Sequence, residues 1–309
     1  MKKVAFIFPG QGSQKVGMGK DFFENNDIAK DMIKKASDRL GINFEKLLFE
    51  ENENLGKTEY TQPAILLVSA ISYEVFKDKC DIKPEFLLGH SLGEFSALVA
   101  AGAIDYLDAI ELVHKRGLFM NEACSGGNAG MMALVGLEDS KVELICEEQR
   151  ENGKKVWPAN YNLDGQLVLA GIKSDLESLV DTFTAAGAKR AIVLDMSVAS
   201  HCELLTSAVE NLRPYLEEYI KDEFLPVVSN VSTQSYTTKE EAIELLASQL
   251  TSPVKYKQSI EKYASKIDLF IEFGNGVVLK GLNRKIVKVP TANVSDMSSL
   301  EKVIGEINE

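Results

Sequence analysis

Residues 87–93 read LLGHSLG, and the serine held between two glycines constrains this chain more than any other feature. The apolar run before it predicts a short buried strand over 86–88 that turns directly into a helix over 92–101. Glycines suit such a turn because they tolerate positive φ and close backbone approach. The turn is either a plain connection or a nucleophile elbow, G-x-S-x-G, which lifts the hydroxyl of Ser91 above the strand end. Short glycine motifs recur by chance, so other residues must decide.

The composition is that of a globular chain with an acidic surface. Of 309 residues, 45% are hydrophobic and 26% are charged, and the net charge is −12. Nucleic-acid-binding domains usually carry a basic footprint and anionic membranes attract basic segments, so neither partner is expected. The first apolar run, 4–8, is too short for a signal peptide, and no run has the length of a membrane-spanning helix.

The four cysteines form no C-x-x-C pair, and the chain has only three histidines. This arrangement argues against a zinc site, so we expect no metal. We interpret Cys80, Cys124, Cys146 and Cys202 as free thiols in a reducing cytoplasm. No long exposed apolar surface stands out, which favours a monomer.

Strands and helices alternate over 1–125 and again over 199–309, which predicts an α/β core with a mostly parallel sheet covered on both faces. A glycine-rich linker over 125–130 separates these parts from elements in the order βαββαβ, the ferredoxin-like split pattern. We therefore predict a core built from 1–125 and 199–309 and an inserted small domain over 126–198.

Individual elements follow from periodicity, because helices repeat apolar residues every three to four positions and strands are short apolar runs. The predicted helices include 27–40, 61–76, 105–123, 139–152, 174–186, 203–219 and 240–250. The predicted strands include 4–8, 131–136, 155–160, 166–170, 190–194, 226–229, 269–273 and an edge strand at 287–289.

A nucleophilic serine needs a base, and His201 is the candidate. It follows a predicted strand and comes after Ser91 in the chain, the order found in elbow enzymes. His90 adjoins the serine, so we expect its side chain to point away and to be structural, and we expect His114 to be surface or half-buried. A carboxylate usually orients such a histidine, which makes Asp195 a candidate third member.

Two further features could bind a negative charge on a substrate. The sequence GQG at 10–12 lacks the third glycine of a dinucleotide fingerprint. The backbone N–H of Gln11, with that of Leu92 after the serine, could instead form an oxyanion hole.

Arg116 and Met120 share a helix face. Taken alone, Arg116 is expected to be a surface cation, and it gains a role only if the substrate carries a carboxylate.

Several segments, taken in order, closely resemble the malonyl-CoA:acyl carrier protein transacylases, acyltransferases of fatty acid and polyketide synthesis. The resemblance runs from about residue 3 to about residue 290, which makes it far more specific than any one motif. The segments are 8–14 (FPGQGSQ), 60–64 (YTQPA), 89–94 (GHSLGE), 115–117 (KRG), 160–162 (NYN), 165–166 (GQ), 229–231 (SNV) and 249–254 (QLTSPV).

The resemblance implies a hydrolase-like α/β core and a ping-pong acyl transfer with no bound cofactor. Ser91 would attack the thioester of malonyl-CoA with His201 as general base, and the phosphopantetheine thiol of acyl carrier protein would then take the malonyl group. In this family a backbone carbonyl holds the histidine. The matching residue here is Gln249, which the resemblance favours over Asp195.

The resemblance also assigns the acyl site. Arg116 would pair with the malonyl carboxylate and so select malonyl over acetyl, because a buried arginine without its partner is costly. Met120 and Asn160 would bind substrate beside it. Ser200 departs from the pattern, since malonyl-selective members carry an aromatic residue there and methylmalonyl-selective polyketide domains often carry Ala-Ser-His. Malonyl is the expected substrate, and the small Ser200 side chain suggests some tolerance for methylmalonyl.

A carrier protein is usually acidic, as is this chain, so docking would need a local basic patch. One candidate is the cluster Lys280, Arg284, Lys285 and Lys288, and another is the pair 189–190 (KR), although either can equally be ordinary solvated side chains.

Two alternative functions share the elbow: a serine thioesterase or esterase, and an acyltransferase that serves a polyketide pathway in trans. A non-enzymatic scaffold is disfavoured by the presence of Ser91, His201 and Arg116.

Overall fold

The structure, a computed structural model, describes residues 2–196 and 198–308, which form two β-sheets and the helices around them. Its strands are β1 (Val4–Phe8), β2 (Phe86–Gly89), β3 (Ala129–Val135), β4 (Val156–Leu163), β5 (Gln166–Ile172), β6 (Arg190–Val193), β7 (Glu223–Val228), β8 (Ser235–Thr238), β9 (Leu269–Phe273) and β10 (Thr291–Val294). Its α-helices are α1 (Lys20–Asn25), α2 (Asp27–Leu40), α3 (Phe44–Phe49), α4 (Thr58–Lys79), α5 (Gly93–Ala100), α6 (Tyr106–Ala123), α7 (Asp139–Glu151), α8 (Lys173–Ser178), α9 (Val180–Ala185), α10 (Thr206–Tyr219), α11 (Lys239–Gln249), α12 (Tyr256–Tyr263), α13 (Val278–Ile286) and α14 (Met297–Asn308).

The large sheet has the strand order β10-β9-β1-β2-β7-β8. Neighbouring strands are parallel except β8, which is antiparallel to β7. Alternate side chains of β1 enter opposite layers: Phe6 and Phe8 join the main core, whereas Ala5 and Ile7 join a second core on the other face. A parallel strand covered on both faces must be apolar throughout, as this one is. The predicted α/β class with a mostly parallel sheet is confirmed.

The small sheet has the order β4-β5-β3-β6 and is antiparallel throughout. Its strands and helices follow one another as β3-α7-β4-β5-α8-α9-β6, the βαββαβ order of the sequence analysis. A separate core, which includes Val142, Leu169 and Phe183, fills the space beneath it. The domain limits 1–125, 126–198 and 199–309 remain predictions, and within them Met1, Ser197 and Glu309 lie outside the described residues.

The two sheets meet along one side of a cleft. Val254 donates to the carbonyl of Ala159 at 2.8 Å and accepts from Tyr161 at 2.9 Å, which forms a bridge between the layers. Lys257 on α12 lies 2.6 Å from Asp139 and 2.9 Å from Asp164, both on the small-sheet side. These contacts fix the relative position of the walls that enclose the site.

Local differences from the sequence predictions have physical causes. The prediction of an edge strand at 287–289 is wrong. The strand β10 begins beyond Pro290, which lacks the N–H that a strand ladder needs. The helix predicted over 174–186 is interrupted at Leu179 and forms α8 and α9. Ala129 and Gly130, assigned to the linker, belong to β3. Periodicity missed α1, α3 and β8 because each is too short to show a repeat.

Among the residues that the structure describes, no helix is long and apolar enough to cross a membrane. In the same part of the chain, no group of three or more His, Cys, Asp or Glu side chains is placed to hold a metal ion.

Candidate active site

The turn between β2 and α5 has the geometry of a nucleophile elbow. Ser91 has φ of 53°, a left-handed conformation that is uncommon for residues other than glycine. A Cβ added to Gly89 would lie 1.8 Å from the backbone of Gly93, and one added to Gly93 would lie 2.1 Å from the carbonyl oxygen of Phe8. Both glycines are therefore required by contact, and the plain-turn interpretation does not account for the strain at Ser91.

Ser91 is paired with His201. Its Oγ lies 2.7 Å from Nε2 of the imidazole, and the opposite ring nitrogen, Nδ1, lies 2.7 Å from the backbone oxygen of Gln249. A carbonyl oxygen only accepts, so Nδ1 carries the proton and Nε2 is free to accept one from the serine. Asp195 lines the cavity but makes no hydrogen bond to His201 among the described residues, so the conventional serine–histidine–aspartate arrangement is absent there.

Burial, together with the charge of Arg116, lowers the pKa of His201 to about 3. The imidazole is only 2% exposed. A neutral histidine at physiological pH is the form that a general base requires. The surroundings of the ring therefore keep it ready to take the serine proton.

The two N–H groups predicted for an oxyanion hole lie at the wall of the same cavity. Gln11 follows β1, and Leu92 precedes α5, whose N-terminus carries the positive end of the helix dipole. Within the described parts of the chain, neither backbone N–H has a hydrogen-bond acceptor. The N–H of Ser91 itself is occupied, because it donates to Oδ1 of Asn230 at 2.7 Å.

Arg116 is buried, and the surface-cation expectation is wrong. Its side chain is on α6, only 1% exposed, and its guanidinium carbon lies 5.4 Å from the centre of the Phe95 ring. Nη1 donates to Oε1 of Gln62 at 2.9 Å and Nη2 donates to Oε1 of Gln249 at 3.1 Å, while Nε has no partner among the described residues. Burial lowers its pKa to about 10, opposed by the charge of Glu94, so the group is still a cation at neutral pH.

A cavity of about 370 Å³ connects these groups and is lined from both sheets. Met120 lies beside Arg116, where its sulfur accepts from Nε2 of Gln62 at 3.4 Å. Asn160 and Ser200 form further parts of the wall, and Asn160 is 7% exposed. All nine residues predicted for the site therefore lie at this cavity or, for Gln249, directly behind it.

The remaining histidines are placed differently. Nε2 of His90 lies 2.8 Å from Oδ1 of Asn162 on β4, which ties the elbow to the small sheet. His114 lies outside the cavity, with Nδ1 2.7 Å from the backbone oxygen of Glu59.

Sequence reasoning gave no role to several residues that hold the site together. Gln62, Glu94 and Asn230 all lie within motifs that carry the family resemblance, so their position in those motifs was the available signal. Tyr236 on β8, which donates to Glu94 at 2.8 Å, carried none.

The candidate basic patches are on the surface. Arg284, Lys285 and Lys288 are exposed on or just after α13, while Lys280 is half-buried and donates to Asn293 at 3.3 Å. Lys189 and Arg190 are exposed at the start of β6.

The fold and site define an acyl transferase: residues 5–306 match the family described as "Acyl transferase domain", and the chain belongs to that family. The malonyl CoA-acyl carrier protein transacylase of Bacillus subtilis (strain 168) is 42% identical over 313 residues, covering 100% of this chain and 98% of the relative. The crystal structure of malonyl-CoA:acyl carrier protein transacylase from Helicobacter pylori matches with a TM-score of 0.96 at 42% identity, covering 100% of this chain and 99% of that one. A chain in a structure of a type II PKS acyl-carrier protein in complex with its malonyl-transacylase is 38% identical, with a TM-score of 0.95 and coverage of 98% and 99%. The resemblance inferred from the motifs is thus confirmed.

Proposed function

We propose that this chain transfers the malonyl group of malonyl-CoA to the phosphopantetheine thiol of an acyl carrier protein and so supplies fatty acid synthesis. The observation that carries the proposal is the buried cation of Arg116 in the same cavity as the Ser91–His201 pair. A guanidinium held in the same cavity as the nucleophile matches an acyl group that ends in a carboxylate. The names of the full-length relatives support the same substrate and acceptor.

The first half-reaction acylates Ser91. His201 takes the hydroxyl proton at Nε2 while the serine oxygen bonds to the thioester carbonyl carbon. The negative charge that develops on the carbonyl oxygen is stabilised by the N–H groups of Gln11 and Leu92. The carbon–sulfur bond then breaks, and the CoA sulfur leaves with the proton held by His201. The product is a malonyl ester on the serine.

The second half-reaction reverses these roles. The phosphopantetheine thiol of the carrier gives its proton to His201, and its sulfur attacks the ester carbonyl. The carbon–oxygen bond breaks, and the oxygen of Ser91 recovers the proton. A second cavity of about 620 Å³ shares Gln11 and Asp195 with the acyl cavity and offers room for the pantetheine arm of either thiol.

The remaining assignments concern positioning and selectivity. The backbone carbonyl of Gln249 holds His201, and Arg116 binds the malonyl carboxylate. Met120, Asn160 and Ser200 shape the acyl cavity. The small side chain of Ser200 leaves the tolerance for methylmalonyl as a prediction, which Ser200→Phe should reduce relative to malonyl.

The exposed basic side chains on and after α13 are the first candidate for carrier docking, because the carrier is acidic and the net charge of this chain is −12. Reversing Arg284 and Lys285 to glutamate should weaken transfer to the carrier without changing acylation by malonyl-CoA.

The direct test mixes the protein with malonyl-CoA and a holo carrier protein, and follows the carrier by intact mass. Malonylated carrier should form with the wild type, and should not form with Ser91→Ala or with apo carrier, which lacks the thiol. Release of free malonate in place of transfer would instead identify a thioesterase. Parallel assays with a fatty acid carrier and a type II polyketide carrier decide the pathway, since one relative is in complex with a polyketide carrier.

A further inference from the structure

A buried carboxylate lies behind the site and takes no part in the chemistry described above. Glu94 is on the first turn of α5, three residues after the nucleophile, and is 1% exposed. It makes no salt bridge among the described residues. Burying a carboxylate is costly, so its retention at this place calls for a reason.

Glu94 is the acceptor in each of its hydrogen bonds to the described residues. Oε2 accepts from Nε2 of Gln249 at 2.8 Å and from the N–H of Asn230 at 3.1 Å, and Oε1 accepts from the hydroxyl of Tyr236 at 2.8 Å. An ionised carboxylate can only accept. It therefore dictates which end of the Gln249 carboxamide faces it.

That constraint passes to Arg116. With its NH₂ group directed at Glu94 and at the carbonyl of Ser91, 3.2 Å away, the carboxamide of Gln249 must present Oε1 to Nη2 of Arg116. The other side is arranged in the same way, since Gln62 directs its NH₂ to the Met120 sulfur and its Oε1 to Nη1. Two oriented carboxamides thus hydrogen-bond to the guanidinium, and Glu94 fixes the orientation of the one on Gln249.

We propose that Glu94 is a positioning residue which locks the Gln249 carboxamide, and through it the Arg116 guanidinium, in the orientation that selects acyl groups carrying a carboxylate. The inference rests on the proposed function. It assigns Glu94 a role in selectivity and leaves the proton transfers to Ser91 and His201.

The decisive variant is Glu94→Leu, which removes the acceptor, whereas Glu94→Gln keeps one. In the glutamine variant the backbone N–H of Asn230 holds the new carboxamide oxygen at the position of Oε2, so Gln249 keeps its orientation and the malonyl KM should change by less than about twofold. In the leucine variant the NH₂ of Gln249 loses this acceptor, and the guanidinium of Arg116 loses a fixed partner. We then expect the KM for malonyl-CoA to rise at least about tenfold, with the acylation rate from acetyl-CoA unchanged within about twofold. A purely electrostatic role predicts a lower malonyl KM in both variants, because each removes a negative charge beside Arg116. A lower or an unchanged malonyl KM in Glu94→Leu, or a lower one in Glu94→Gln, overturns the proposal.

Glu272→Leu is the matched control. Glu272 is also a fully buried glutamate, but it accepts from the N–H groups of Leu279 and Lys280, each at 2.9 Å, away from the cavity. Its replacement should lower the melting temperature without changing the ratio of malonyl to acetyl acylation. Rates are normalised to the fraction of Ser91 that can be acylated, so that a loss of folded protein does not imitate a loss of selectivity.

The wild type provides a second test that needs no folded variant. Burial raises the pKa of Glu94 to about 7, and the charged or titratable groups that face it are Arg116 and Tyr236. Below that pH the carboxyl gains a proton, but the N–H of Asn230 keeps Oε2 an acceptor, so the proton lies on Oε1 and faces the Tyr236 hydroxyl, which can accept it. The malonyl KM should therefore stay within about twofold as the pH falls through about 7, whereas a purely electrostatic role predicts that it falls. A change in the malonyl KM that acetyl acylation does not share contradicts the proposal. If the wild type forms no malonyl-serine at any pH, the proposed function fails instead.

Discussion

At the scale of single residues, the site depends on buried polar groups. Their burial would cost free energy if they had no hydrogen-bond partners. Arg116 is the clearest case, since its guanidinium is held by two carboxamide oxygens but faces no carboxylate at salt-bridge distance among the described residues. Neutral oxygens satisfy the N–H groups without cancelling the charge. The cation is thus left available to an anionic ligand.

Replacing Arg116 with methionine should remove malonyl selectivity. Truncating one side of a buried charge pair costs about 2–5 kcal/mol, so kcat/KM for malonyl-CoA should fall at least about 30-fold, while acetyl-CoA acylation should hold or rise. The measurement is the rate of Ser91 acylation from each donor. Arg213→Met, which breaks the exposed pair with Glu244, is the control and should change neither rate. Equal losses for both donors would show that Arg116 does not recognise the carboxylate.

His201 should remain neutral across the physiological range because burial lowers its pKa to about 3. With only three histidines in the chain, ¹⁵N-labelled histidine gives a spectrum simple enough to follow each ring, and His201→Asn assigns the signal. The ring should show no titration between pH 5 and pH 8. In the unfolded chain a histidine binds a proton near pH 6.5, so this group should also reduce stability as the pH falls below that value. A midpoint near pH 6.5 in the folded protein would show that burial does not keep His201 neutral.

The sequence indicated the candidate catalytic residues better than the residues that hold them in place. Ser91, His201 and Gln11 lie in turns or loops that follow strands, where a short motif or the chain order marks them. The carboxylate of Glu94 and the hydroxyl of Tyr236 belong to residues 142 positions apart in the chain. They meet only because β8 folds back along β7. Arg116 was expected at the surface because a helical cation gives no sign of burial until its helix is packed.

At the scale of elements, the elbow exists because strand, turn and helix pack backbone against backbone. Gly93 begins α5 directly against the carbonyl of Phe8 in the neighbouring strand β1. Only glycine fits there, because a Cβ would meet a backbone oxygen that cannot move aside.

Gly93→Ala should therefore damage both folding and acylation. The added Cβ would lie 2.1 Å from the Phe8 carbonyl oxygen, so we expect a loss of at least about 3 kcal/mol in the free energy of unfolding. Urea denaturation measures the loss. Gly305→Ala on α14 is the control, because its Cβ meets no atom within 4 Å and alanine favours a helix by up to about 1 kcal/mol. Similar stabilities for the two variants would show that the elbow is not built on this contact.

Element prediction succeeded where a repeat or a stop signal is local. The helix over 27–40 and the strand over 269–273 agree with the structure at both ends, the former because Gly41 closes it with φ of 66°. The edge strand failed because Val287 and Val289 are apolar for another reason: both pack against the core on the second face of the large sheet. Apolar character reports burial, and burial alone does not identify a strand.

At the scale of the whole molecule, the cavity exists only where the large and small sheets face each other. Met131 and Val168 from the small sheet share the wall with Ser91, in the turn after β2 of the large sheet, and with Arg116 on α6. The order of the elements predicted both sheets, but no local pattern indicated how they face one another. That arrangement depends on the Val254 bridge and on Lys257, whose partners are 118 and 93 residues away.

Lys257→Met should weaken the junction between the sheets. The lysine side chain is 12% exposed and its partner Asp139 is 19% exposed, so the variant leaves a largely buried carboxylate without its cation. We expect a loss of about 1–3 kcal/mol in the free energy of unfolding, measured by urea denaturation. Lys34→Met, which removes an exposed helix pair with Asp38, should change it by no more than about 0.5 kcal/mol. Equal effects would mean that the junction does not depend on Lys257.

The proposed reaction requires that Ser91 carries the malonyl group between two thiols. The most direct measurement is the intact mass of the protein after mixing with malonyl-CoA in the absence of any carrier. We expect one malonyl adduct per chain in the wild type, none in Ser91→Ala, and loss of the adduct when a holo carrier is added. An adduct that persists in Ser91→Ala, or free malonate accumulating with no adduct, would contradict the proposed reaction.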